Sequence, residues 1–222
     1  MKAKHFLSPA LSKIVGGLSL AFFLSAVILQ ADDSTEAAKI WAESLRLEQN
    51  SDYASALEKM SDFARVSPDT YLYQVRCGWL EYMSKNYDQA AESYLAASKI
   101  EPAALTPFLG LIYTYEASAQ RPKAIEACHE ALQRDPVNYT ATKMLAAISY
   151  ENGDFLEAAR NYQNLLRVHP EDETLLSGTG WSLLKLNKMP EAAACFQRLL
   201  VLSPTYPYAT VGYQTAQGKT TE

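Results

Sequence analysis

Glu126, Cys128, His129 and Glu130 bunch together, and sulfur, imidazole and carboxylate are donors that a transition metal takes. Their spacing argues against a shared ion. Consecutive helical residues turn by about 100°, so Cys128 falls on a buried apolar stripe while His129 falls beside it on the outer face. Cys77, Cys128 and Cys195 form an odd set with no C-x-x-C pair, which excludes a fully paired disulfide framework. Cys77 and Cys128 stand at core-facing positions, where a cysteine acts as a small hydrophobe. Gly153-Asp154 makes a turn, and neither G-x-x-x-x-G-K-[ST] nor G-x-G-x-x-G occurs. Asn138-Tyr139-Thr140 has the form of a glycosylation sequon, but Asn138 reads better as a helix cap. Charged residues fall on solvated faces and in turns, so no Ser–His–Asp or paired-carboxylate arrangement is assembled. No catalytic, cofactor-binding or metal residue is assigned.

The elements that carry these residues are fixed by a spacing. Pro68, Pro102, Pro136, Pro170 and Pro204 recur at intervals of 34 residues, and twelve positions before each stands Ala56, Ala90, Ala124, Ala158 or Ala192. Proline stops helices, so a proline at fixed intervals closes a repeated structural unit. The units are 37–70, 71–104, 105–138, 139–172 and 173–206. In the fourth, Leu145, Ala146 and Ser149 share one side of a first helix, and Asn152-Gly153-Asp154 breaks it. Phe155, Ala158, Tyr162 and Leu165 then form the apolar stripe of a second helix, with Asp154 placed to cap it. Asp52 and Asn86 occupy the same capping slot, and Pro122 and Pro190 sit in the first turns of their second helices. The recurrent alanine marks a close helix crossing, faced by small Gly78 and Gly180 on the first helices.

The bulk numbers agree with such an array. Apolar residues make up 48% of the chain and charged residues 20%, a globular composition. The formal charge is -5. No basic patch appears, which excludes nucleic acid as a partner.

The first 31 residues read as an address. Lys2, Lys4 and Lys13 precede the weakly polar-to-apolar run Ile14–Leu29, followed by Gln30, Ala31 and acidic Asp32-Asp33. That order describes a secretory signal, cleaved, or retained as an N-terminal membrane anchor through residues 14–29. In either case the body of the protein is expected across the membrane from the cytoplasm, in the periplasm, tethered to the inner membrane facing it, or secreted.

With its small residue in the first helix, its alanine and following aromatic in the second and its closing proline, the unit resembles a tetratricopeptide repeat. The resemblance implies an all-α fold: a right-handed α-solenoid of five 34-residue helix–turn–helix repeats, with residues 207–222 as a capping helix and loose tail. Glu43 in the first unit replaces an apolar residue, leaving that helix exposed on one side. Ile112 and Arg121 depart from the small and aromatic slots of the third unit, which predicts less regular packing there. First helices line the concave side in the family, and here they carry Trp41, Trp79, Tyr82, Tyr113, Lys143, Tyr150 and Trp181, with Tyr208 at the end. Such aromatics suit a binding surface. Family members that clamp a terminal carboxylate do so with slots that here hold Trp41, Leu45, Arg76, Thr106 and Gly110, so that clamp is not assembled. The implied function is a non-catalytic scaffold of the cell envelope that binds an apolar or amphipathic protein segment without a cofactor. The alternative is a chaperone-like holder of secreted or unfolded clients.

Overall fold

The computed structural model describes residues 36–67 and 69–219. The expected N-terminal signal or anchor and Pro68 lie outside these residues. Eleven helices and no strand occur among the described residues. They are α1 (Glu36–Gln49), α2 (Tyr53–Val66), α3 (Thr70–Met83), α4 (Tyr87–Ile100), α5 (Thr106–Ala117) and α6 (Arg121–Arg134). After them come α7 (Tyr139–Asn152), α8 (Phe155–Leu166), α9 (Glu173–Lys185), α10 (Met189–Leu202) and the short α11 (Ala209–Ala216).

The chain divides into two compact units, Met1–Asp69 and Thr70–Glu222. In the first, α1 and α2 form one hairpin. Ser44 stands opposite the crossing alanine and its Oγ donates to the carbonyl of Ala56 at 3.2 Å. Trp41 packs on Phe63 with ring centroids 5.3 Å apart. Glu43, the acid expected to leave α1 partly exposed, is half-buried and paired with Arg46 at 2.6 Å.

In the second unit each helix packs on the next along the chain, giving the hairpins α3–α4, α5–α6, α7–α8 and α9–α10, capped by α11. This is an α-solenoid of stacked helical hairpins. Ala90, Ala124, Ala158 and Ala192 are all buried at the crossings. A larger side chain there would force two helices apart.

A second register runs through the hairpin turns. Ser51, Lys85, Ala119, Gly153 and Asn187 all have positive φ, between 58° and 89°, and they too are spaced by 34 residues. One left-handed residue reverses the chain and lets the next N–H close on the preceding helix, as in Asn86 N to Glu81 O at 2.8 Å and Gln120 N to Tyr115 O at 2.8 Å. Only Gly153 meets this demand without steric cost. The caps vary more. Asp52 Oδ1 accepts from Ser55 N and Asn138 Oδ1 from Ala141 N, each at 3.1 Å. Asn86 and Asp154 hold the capping position, but neither side chain makes the expected bond.

The third hairpin divides its volume differently from the others. Tyr94, Tyr162 and Phe196 on second helices lie against small residues: ideal Cβ atoms at Gly78 and Gly110 would stand 3.0 and 2.4 Å from the Tyr94 ring. At Gly178 the distance to Tyr162 would be 2.6 Å, and at Gly180 and Gly212 the Phe196 ring would be 2.8 and 2.4 Å away. In the third hairpin the large residue is on the first helix, Ile112, and the small one is Cys128. Both are fully buried.

Candidate binding surface

Contacts between successive first helices recur through the second unit, α3 with α5, α5 with α7, α7 with α9 and α9 with α11. Successive second helices make none as extensive. First helices therefore line the inner curve of this unit. Trp79, Tyr82, Tyr113, Lys143, Tyr150 and Trp181 all lie on them, and all six are half-buried.

The other two expected residues stand elsewhere. Trp41 is only 6% exposed and belongs to the interior of the first hairpin. Tyr208 is 56% exposed and occupies the left-handed turn that starts α11, with φ 61°. Two slots considered for a carboxylate clamp serve other purposes: Arg76 is buried and Gly110 backs the Tyr94 ring.

The inner side chains pack on one another and on rings of the second helices. Trp79 stacks on Tyr82 at 6.0 Å with an interplanar angle of 29°, and Tyr82 leans on Tyr87 at 5.9 Å. The Tyr113 hydroxyl lies 3.4 Å from Thr140 Oγ1. Tyr150 meets Phe155 edge-on at 5.3 Å, and Trp181 meets Phe196 edge-on at 5.2 Å. Part of each ring packs and part remains accessible.

Charges that the periodic reading passed over lie among them. Glu116 is half-buried on α5. Burial raises its pKa first and the neighbouring Glu151 adds to the effect, while Lys143 opposes both. Burial likewise lowers the pKa of Lys143, against the pull of Asp172 and Glu116. Its Nζ sits over the Tyr139 ring, 4.6 Å from the centroid. Tyr139 donates to Asp172 Oδ2 at 2.7 Å, and Asp172 Oδ1 accepts from Leu175 N at 3.0 Å as the cap of α9. Glu151 pairs with Arg121. A signal for Glu116 was present in the chain: it takes the slot that holds Tyr82 and Tyr150 one unit before and one after.

The remaining chemistry-bearing groups do not converge. Cys128 is buried while His129 is exposed, and no group of three or more His, Cys, Asp and Glu positioned for a metal occurs among the described residues. Burial pushes the thiols of Cys77 and Cys128 up to about 12. No helix of the described residues is long and apolar enough to cross a membrane.

Comparison with known proteins gives the fold a context. The family model described as tetratricopeptide repeat matches residues 41–104, 109–159 and 144–207. A tetratricopeptide repeat protein from Parabacteroides merdae superposes with a TM-score of 0.70 at 16% identity, over 82% of this chain and 74% of that one. MamA from Desulfovibrio magneticus, residues 41 to the end, superposes with a TM-score of 0.67 at 15% identity, over 78% of this chain and 98% of that one. Human cilia- and flagella-associated protein 70 is 26% identical over 128 residues, which is 58% of this chain. The Macaca fascicularis protein of the same name is 27% identical over 120 residues, 54% of this chain. The matched stretch spans only about a tenth of these curated relatives, 11% and 12%.

Proposed function

The chain belongs to the tetratricopeptide repeat family, and on that premise we propose that it is a non-catalytic scaffold holding a protein segment against its inner helices. The observation that carries this reading is the run of six half-buried side chains, Trp79, Tyr82, Tyr113, Lys143, Tyr150 and Trp181, along the first helices of the second unit. Five of them are aromatic, and aromatic rings bury large areas while freezing few rotamers. An apolar or amphipathic segment suits such a lining better than a charged terminus.

The scaffold works across the membrane from the cytoplasm, in the periplasm or tethered to the inner membrane, where it holds a partner in an envelope complex. Support for this placement comes from the basic start and the apolar run Ile14–Leu29. A reporter fused at Glu222 that is active only in the cytoplasm would overturn the placement.

The test of function is affinity capture from intact cells with the native chain and with Trp79→Ala/Trp181→Ala. One stoichiometric partner, lost in the double variant while melting is unchanged, supports the scaffold. Recovery that is the same with both chains rules the inner surface out, and a broad set of unfolded clients supports a chaperone-like holder.

A further inference from the structure

Glu116 is a carboxylate without a hydrogen bond or ion pair among the described residues, set half-buried in an aromatic lining. Lys143 on the next helix acts on the Glu116 charge but makes no ion pair with it, its Nζ lying over the Tyr139 ring at 4.6 Å. The other acids nearby are also occupied: Glu151 pairs with Arg121, Asp172 is held by Tyr139 and Leu175 N, and Glu81 accepts from Ser93 at 2.6 Å. Tyr113 stands three residues before Glu116 on the same face of α5, and Tyr82 holds the matching slot of α3 one unit earlier. Burial raises the pKa of both tyrosines and the Glu116 charge adds to it, while Tyr82 meets the rings of Trp79 and Tyr87.

Aromatic faces carry negative charge at the ring centre and attract cations, more strongly when water is excluded. A carboxylate beside them adds a charge-assisted hydrogen bond. We propose that Tyr82, Tyr113 and Glu116 form a cation-accepting subsite of the inner surface, filled by a lysine or arginine side chain of the bound protein segment. The adjacent Trp79 takes an apolar neighbour from the same segment. The occupant is thus a basic–apolar segment, chosen by charge complementarity to the unpaired Glu116 carboxylate. This inference rests on the scaffold reading above and makes it specific.

The test uses a phage library of random short peptides selected on the immobilised full-length chain, on Glu116→Gln and on Trp79→Ala/Trp181→Ala. On the native chain the selected peptides are expected to be enriched in lysine and arginine next to apolar residues. The enrichment disappears on Glu116→Gln, and a peptide from the native selection binds that variant about tenfold more weakly. Acetylating its lysines has a similar effect. Selected peptides without basic enrichment, or equal affinity for Glu116→Gln, overturn the cation subsite while the inner surface stands. If the native chain selects nothing, or selects peptides that bind the double alanine variant equally well, both the subsite and the scaffold reading fall.

Discussion

Tyr94 on α4 ends against the backbone of Gly110 on α5, where a Cβ would stand 2.4 Å from the ring's Cζ. A Cβ at Gly78 would stand 3.0 Å from the same ring, so the ring cannot retreat. A pair of glycines on two neighbouring first helices thus makes the slot that one tyrosine fills. Gly180 and Gly212 do the same for Phe196.

Gly110→Ala is expected to destabilise the protein. In an exposed helix this change gains about 1 kcal/mol, but overpacking a closed site costs about 1–3 kcal/mol. The midpoint of thermal unfolding by circular dichroism should fall, by roughly 2–4 °C for each kcal/mol lost. A raised midpoint would show that the slot is not closed.

The hairpin turns give opposite signs at equivalent positions. Ala119 has φ 58° and Gly153 φ 89°, and an L-residue in the left-handed region costs about 1–2 kcal/mol. Ala119→Gly should therefore raise the unfolding midpoint, while Gly153→Ala should lower it although nothing lies within 4 Å of the added Cβ. Shifts of the same sign in both variants would contradict the turn assignment.

Glu116 should weaken the fold as pH rises. Burial raises its folded pKa above the ordinary value of 4.5. Below that value the group is neutral in both states, and its contribution is fully present. Above it the unfolded chain ionises first, so the contribution is lost as pH climbs through the raised folded pKa. The stability of the native chain relative to Glu116→Gln should fall between pH 4.5 and neutrality, measured by urea unfolding at a series of pH values. A difference that stays flat with pH would show that the carboxyl is effectively solvated.

Cys77 and Cys128 should resist alkylation in the folded protein. The thiolate is the reactive form, and burial holds both thiols near 12. Iodoacetamide at neutral pH, read by mass spectrometry, should label them only after denaturant is added. Rapid labelling of Cys128 in the native chain would place it outside the core.

Much of this arrangement was legible from spacing. The alanines and prolines recur with the unit, so they marked the crossings and ends of the helices. The inner positions came from the family resemblance, and six of the eight expected residues lie half-buried on the first helices of the second unit. Periodicity does not report how far a neighbouring helix covers a side chain, which is why Trp41 lies buried on Phe63. Nor does it show volume exchange: Ile112 and Cys128 depart from their slots individually but compensate as a pair. Asn86 and Asp154 hold the capping position without a side-chain cap bond, whereas Asp52 in the same turn makes one; nothing in the structure explains the difference. Glu116 was overlooked because a lone acid in an aromatic slot reads as solvated until its neighbours are placed around it.

The inner face of the second unit is tested most directly by site-specific photocrosslinking in intact cells. A benzoylphenylalanine at Tyr113, on α5, is expected to capture a protein partner in a single adduct. The same group at Leu95, exposed on α4, should capture none. Adducts that form from position 95 and not from position 113 would contradict the account.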